Sequence, residues 1–447
     1  MRRQDQLSLT RPPIDHVHAE ELEQISGILC RNPGMAELVE QDLVRGVANP
    51  HTGARGMTGD QVLRWLLVKQ VTSFSYEELA FHLADSVTYR AFCRFSALAA
   101  TPSRSTLAEN IKKIRAETLQ EIVGLQVGYS RAAGIESGDK VRFDATVTET
   151  NIHAPTDSAL LLDGVRVATR LLGEAAQRCG FRAWSDHTKR AKRRMLAIHN
   201  AKNGEVRVDA YRDLLKVMYA CTRYTTDAIV QLRTATGEAR PKAVVLADRM
   251  EELLVWSTAV IDQTERRVLR GENVPADEKV VSLFETHTDI IIEDRRETLY
   301  GHKVYLAAGA SGLITDCLIA KGNPADSTMT VPLLQRQVAM LGRTPRQVAF
   351  DGAFASKENL AAAKQLGITD VAFSKKRGLQ ISEMTRSTWV YRRLRNFRAG
   401  IEGLISFLKR ALGLDRCTWK GEESFACYTL ASVIAGNFLT LARHLMS

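Results

Sequence analysis

The stretch Tyr391–Leu412, YRRLRNFRAGIEGLISFLKRAL, constrains this chain more than any other. Wound as an α-helix at about 100° per residue, it brings Arg398, Glu402 and Lys409 within about 40° of one another, with Arg395 about 20° further round. Phe397, Ile401, Leu404, Ile405, Leu408 and Leu412 form an adjoining apolar stripe. Such a helix buries one side and presents a carboxylate flanked by cations on the other. A metal-bound Glu402 with Arg398 and Lys409 on phosphates satisfies the pattern. An ordinary amphipathic helix with a solvated, salt-bridged face satisfies it too. Gly400 and Gly403 each cost such a helix about 1 kcal/mol relative to alanine. They make sense where another group packs against the backbone.

The 447 residues leave room for two or three domains with a large core, and 45% hydrophobic with 25% charged is ordinary globular composition. No run of eighteen apolar residues occurs, so no membrane span is expected. The start, MRRQDQLSLTRPP, has no apolar core and does not read as a signal peptide. Seven scattered cysteines without a CxxC favour reduced thiols in a cytoplasm over a structural zinc site. The net charge of +10 suits a polyanion, nucleic acid first.

Residues 1–57 read as an N-terminal segment with a helix near 18–30. Residues 58–130 read as a helical, helix-turn-helix-like DNA-binding domain, for which a plain helical bundle is the alternative. Thr58–Gln61 (TGDQ) and Ser75–Glu78 (SYEE) are capping boxes, and Tyr89–Phe95 holds a third helix. Thr106–Glu109 (TLAE) predicts one further helix running through NIKKIRAETLQEIV, with Arg104 in the basic, hydroxyl-rich turn before it. A strand follows at 140–152, in which Arg142, Asp144, Thr146, Thr148 and Thr150 share one parity. Aspartate is disfavoured in strands. Asp144 in this apolar run therefore reads either as a functional group or as a strand-end residue facing solvent.

The texture then turns helical from 158 to 286, an insertion read as two long helices, 158–202 and 208–271, with Met250–Val260 in a returning arm. Lys189–Arg194 packs five Lys/Arg into six positions, a solvated helix face or a track for phosphates. Strands return at 287–323, where Ser311-Gly312 signals a hairpin. Helices at Asp326–Leu341 and Lys357–Leu366 flank a short strand ending in Asp351. The strand ITDVAFSKK leads to Lys375, Lys376 and Arg377, and the tail ends as an apolar core helix.

With the insertion removed, the order is a three-stranded meander followed by alternating α/β elements. That is the outline of an RNase H-like mixed sheet, with 138–157 and 287–447 as the catalytic domain. In such sheets functional residues gather at strand ends, so Asp144, Asp351 and Glu402 are candidates for one site. Clustered carboxylates repel unless neutralised, and hard divalent cations do that. Two such ions would serve phosphodiester chemistry.

This arrangement resembles the DDE transposases of bacterial insertion sequences. Arg398-x3-Glu402-x6-Lys409 matches the R-x3-E-x6-K signature of the insertion-sequence-four and -five superfamily, although the usual tyrosine three residues before the arginine is Arg395 here. RFDATVTETNI surrounds the first aspartate. AFDGAFASKENL surrounds the second and is similar to a D-x-Gly-Tyr-x-Ser pattern, with Phe354 and Ser356 in place and Ala353 where glycine would stand. The helical block before the first strand resembles the domain preceding the catalytic core in these enzymes, and the long insertion is similar to that of ISNCY-type elements.

The resemblance implies Asp144, Asp351 and Glu402 as catalytic metal ligands for two Mg²⁺ ions, with Mn²⁺ as a substitute. It also implies Arg398 and Lys409 as contacts to transposon-end DNA, and a homodimer synapsing two terminal inverted repeats on double-stranded DNA. Arg395, Lys375, Lys376, Arg104 and His302-Lys303 are further DNA-contact candidates on charge and placement, with surface solvation as the alternative. The function implied is strand cleavage and 3′-hydroxyl strand transfer in a bacterial cytoplasm, at the nucleoid and away from membranes. An RNase H-like nuclease without strand transfer and a decayed DNA-binding relative are the alternatives. No Gly-rich nucleotide loop, GxSxG elbow or Cys/His nucleophile pattern points to a small-molecule enzyme.

Overall fold

The computed structural model describes residues 15–49, 56–96, 99–293 and 297–447. The signal-peptide reading of the first thirteen residues falls outside them. The chain folds as two compact units. One comprises the chain through Thr148 together with Lys303–Trp419 and Glu423–Ser447; the other comprises Glu149–His302 with Lys420–Glu422.

The first unit opens with helices α1 (Val17–Arg31), α2 (Gly34–Leu43), α3 (Gly59–Thr72), α4 (Tyr76–Asp85), α5 (Val87–Phe92), α6 (Arg104–Ile111) and α7 (Ala116–Ala132). Both expected capping boxes form, on Thr58 with Gln61 and on Ser75 with Glu78. The single helix expected after Thr106 is two. Ser103 caps α6, its Oγ accepting from the Thr106 N–H at 3.3 Å. The chain then breaks before α7, because Asp42 takes both the backbone N–H of Arg115 at 3.0 Å and its guanidinium at 2.9 Å. That tertiary partner replaces the bonds a continuous helix would have made.

After β1 (Lys140–Glu149) the second unit contributes α8 (Asp157–Cys179), α9 (Thr188–Asn200), α10 (Gly204–Arg233) and α11 (Arg240–Thr264). The sequence pattern there predicts two helices, 158–202 and 208–271. Gly180 ends α8 with a left-handed φ of 72°, and the chain turns again at Gly237 before α11 returns along α10. Leu161, Val165, Leu214, Met218, Ala247, Met250 and Val260 pack between these helices. In the basic cluster on α9, Arg190 and Arg194 both pair with Asp213, and Lys189, Lys192 and Arg193 are exposed.

The remaining elements are β2 (Asp289–Glu293), β3 (Glu297–Ala308), β4 (Ile314–Ile319), α12 (Asp326–Leu341), β5 (Gln347–Phe350), α13 (Lys357–Gln365), β6 (Asp370–Phe373), α14 (Ile381–Met384), α15 (Thr388–Leu412) and α16 (Glu422–Met446). In the second unit β2 pairs antiparallel with the beginning of β3, Asp289 opposite Gly301. In the first unit the strand order is β4-β3-β1-β5-β6. There β4 lies antiparallel on β3, while β1, β5 and β6 run parallel. This is the RNase H-like mixed sheet expected from the element order, preceded by a helical N-terminal region.

Among the described residues α16 is the one helix long and apolar enough to cross a membrane, a property the absence of an eighteen-residue apolar run had not suggested. It is a core helix, with Val433, Ile434, Phe438 and Leu441 fully buried. Its buried Asn437 is fully used. The amide accepts from the Ile314 N–H at 2.8 Å and donates to the Ile314 carbonyl at 2.9 Å, which pins β4 to the helix.

Candidate active site

Register explains how the two aspartates meet. Phe143 on β1 pairs with Phe350 on β5, and Phe350 with Phe373 on β6. The three rings stack in a row under the sheet, with centroids 4.4 Å and 5.8 Å apart. The next residue on each strand is Asp144, Asp351 and Ser374. Period-2 alternation turns these three to the opposite side of the sheet from the phenylalanines. Ser374 donates to Asp351 at 2.7 Å, and the Ala353 N–H donates to its other oxygen at 3.4 Å. Asp144 is 9% exposed, which excludes the reading of a solvated strand-end aspartate.

Helix α15 crosses this face and is locked there by two residues of β1 that share one parity. Arg142 donates to the Phe397 carbonyl at 2.9 Å, and Asp144 accepts from Arg398 at 2.7 Å. Gly400 is what lets Arg142 in: a Cβ there would lie 2.3 Å from its Nη1. Nothing lies within 4 Å of a Cβ on Gly403. The close packing that the two glycines suggested is therefore present at the first and missing at the second.

The Arg398 guanidinium sits among three carboxylates, 2.7 Å from Asp144, 3.4 Å from Asp351 and 2.6 Å from Glu402. Burial drives the Asp144 carboxyl up to about 6 against the pull of Arg398, and Asp351 pushes it the same way. For Asp351 burial is outweighed by the Ser374 hydroxyl, the Gly352 and Ala353 amides and Arg398, and its pKa is lowered. Glu402 is 64% exposed at the rim. Asp144, Thr146, Arg398, Glu402, Lys409 and Asp415 line a cleft of about 630 Å³. As they stand, no three His, Cys, Asp or Glu side chains among the described residues converge to metal-holding distance; at this site the guanidinium lies between the acids.

The other candidates scatter. Lys409 lines the cleft and pairs with Asp415 at 3.5 Å. Lys375 crosses Gly352 beside the Asp351 turn, where a Cβ on the glycine would lie 2.6 Å from the lysine Cβ. Lys376 is exposed in the turn after β6, and Arg395 is exposed on α15. Arg104, the first residue of α6, is exposed and pairs with Glu77 at 3.7 Å. Lys303 is not on the surface, because Asp326 holds it at 2.6 Å and its side chain is 13% exposed. His302 is buried in the second unit between His287 at 2.7 Å and Asp289 at 2.9 Å.

Two family models match the chain. The Transposase DDE domain covers residues 257–438, and a Transposase domain (DUF772) covers residues 31–113. The chain belongs to the DDE transposases of insertion sequences. The first match contains Asp351, Arg398, Glu402 and Lys409, while Asp144 lies between the two matches and is tied to the first by the β1–β5 pairing. No curated protein and no solved structure matches the chain. The transposase holds two site residues that the sequence reading did not single out. Ser374 is the partner of Asp351, and Arg142 clamps the helix. The parity of Arg142 with Asp144 was visible in the sequence; Ser374 carried no signal.

Proposed function

We propose that this transposase binds the terminal inverted repeats of its element, cleaves a strand at the repeat boundary and joins the freed 3′-hydroxyl to target DNA. The observation that carries the reading is the approach of Asp144, Asp351 and Glu402 to a single cation, Arg398, which lines an open cleft.

DDE transposases generally use divalent metal ions. The donor set fits such ions. It consists of hard carboxylate oxygens, two of them on rigid strand ends and the third on an exposed side chain able to turn inward. The field of these acids already draws one full positive charge to their centre. Asp144, Asp351 and Glu402 would hold two Mg²⁺ ions, with Mn²⁺ able to substitute. When bound, the ions activate the attacking water or 3′-hydroxyl and stabilise the leaving oxygen. The chain supplies the rest. Ser374 and the Gly352–Ala353 amides hold Asp351 ionised and oriented. Arg398 and Lys409 face the cleft where DNA phosphates would enter, and Lys375 lies beside the Asp351 turn. Lys376, Arg395 and Arg104 are exposed cations available to more distant phosphates. Double-stranded DNA, a homodimeric synaptic complex and a bacterial cytoplasmic location complete the reading.

The test is cleavage of labelled DNA carrying the element's terminal repeat, with Mg²⁺, comparing wild type with Glu402→Gln. The reading expects wild type to nick at the repeat boundary and to join the end to a second DNA, while Glu402→Gln binds without cutting. Equal cutting by both proteins would make Glu402 a structural ion-pair residue. Cutting without joining would leave an RNase H-like nuclease.

A further inference from the structure

The start of β1 and the N-terminal half of α15 form a second cationic cluster, built around the Arg142 clamp and apart from the carboxylates. Trp389, Arg393 and Phe397 recur every four residues on α15 and so share one stripe. The Arg393 guanidinium lies 4.7 Å from the centre of the Trp389 ring. The Phe397 ring takes two cations, Lys140 at 4.6 Å and Arg142 at 4.7 Å. Lys140, Gln347, Trp389 and Arg393 line a small hollow of about 100 Å³.

Three cations therefore crowd two aromatic rings, and among the described residues no carboxylate lies within ion-pair distance of any of them, although Glu136 acts on Arg142 from further off. Asp370, reached through Gln347 at 2.9 Å, is already committed to Arg386 at 3.1 Å. Arg142 is 8% exposed, and its buried Nε has no hydrogen-bond partner. Burial and the neighbouring Arg393 and Arg142 charges lower the pKa of Lys140, as expected where cations gather. Such a cluster calls for an anion.

Trp389 narrows the class. It is 63% exposed, a costly position for an indole, and Arg393 lies over its ring. In duplex DNA the base faces are stacked away, so an exposed indole gains little from it. An unpaired nucleotide offers both a base face for the ring and a phosphate for the cations. We propose that Trp389, Arg393 and Lys140 form a platform for a single-stranded segment of DNA. The site stands apart from the carboxylates: Lys140 precedes Asp144 by four strand residues, about 13 Å along β1. This inference rests on the transposase reading, and adds that the protein holds an unpaired strand away from the catalytic cleft.

The experiment measures binding of a fluorescent oligothymidylate and of the terminal-repeat duplex to the full-length protein. Wild type, Trp389→Ala, Trp389→Phe, Arg393→Gln and Glu402→Gln are compared, with thermal melting to confirm folding. Trp389→Ala is expected to weaken oligothymidylate binding about 10- to 100-fold while leaving the duplex unchanged, and Trp389→Phe to retain most of it. Arg393→Gln should also weaken the oligothymidylate, and Glu402→Gln should not. Wild-type binding of the oligothymidylate by folded Trp389→Ala overturns the proposal, as does an equal loss for both DNAs. If wild type binds duplex but not oligothymidylate, the platform fails and the transposase reading stands. If it binds neither, both fail.

Discussion

Gly400 and Gly403 offer a matched pair of substitutions whose effects should differ in sign. Each lies in the interior of α15, where alanine is preferred to glycine by about 1 kcal/mol. At Gly403 nothing lies within 4 Å of a new Cβ, so Gly403→Ala should keep that gain. At Gly400 the Cβ would stand 2.3 Å from Arg142 Nη1, and the guanidinium must leave. Leaving forfeits its 2.9 Å bond to the Phe397 carbonyl, worth about 1.5–3 kcal/mol for a charged donor. It also forfeits the contact with the Phe397 ring at 4.7 Å, worth about 0.5–1 kcal/mol. Set against the propensity gain, Gly400→Ala should destabilise by about 1–3 kcal/mol. Thermal melting reads the difference at about 1–2 °C per kcal/mol for a unit of this size. A double-mutant cycle isolates the cause: with Arg142→Met in place, Gly400→Ala should turn stabilising, because the group it displaced is gone. Gly400→Ala melting at or above wild type, or an unchanged penalty in the Arg142→Met background, would refute the reasoning.

Two further outcomes follow from the helical N-terminal region. Burial pushes the Asp42 carboxyl up, but the Thr118 hydroxyl and the Arg115 guanidinium and amide outweigh it, so its pKa lies below the ordinary 3.8. A lowered acid pKa adds stability that is present above the unfolded value and lost as pH falls through the folded one. Melting of Asp42→Asn should therefore trail wild type by a constant gap from pH 7 down to about pH 4 and converge with it only as pH falls further; a gap that persists undiminished well below 3.8 would refute the linkage. Arg64 is fully buried, bonded to Asp60, Ser26 and the Phe92 carbonyl at 2.9 Å each. Arg64→Met strands those acceptors and should cost about 3 kcal/mol in a melting experiment, whereas a neutral result would mean the pocket repacks around methionine.

Much of the fold was legible because it rests on local rules. The capping boxes on Thr58 and Ser75, the Ser311-Gly312 hairpin, and the bounds of Asp326–Leu341 each depend on residues close together in the chain. Where a tertiary partner decides, the reading failed. The break between α6 and α7 depends on Asp42, more than seventy residues from Arg115. The insertion reads as two helices in sequence because charged, periodic sequence runs through turns that Gly180 and Gly237 make. Lys303 looked like a surface cation until Asp326, on a helix over twenty residues away, claimed it.

The site divides the same way. The sequence by itself determined which residues have the chemistry. It supplied an aspartate inside an apolar strand, a second at a strand end, and a helix that must present Arg398, Glu402 and Lys409 on one side, since 3.6 residues per turn leaves no other arrangement. Only the tertiary structure decided that these groups meet. Pairing of Phe143 with Phe350 fixes the strand register and sets the two aspartates side by side. The bond from Arg142 to the Phe397 carbonyl, beside a bare Gly400 backbone, seats α15 so that Arg398 reaches both aspartates. Such contacts span up to 255 positions of chain. Their partners are chosen by the packing of the whole sheet, and no local pattern encodes that.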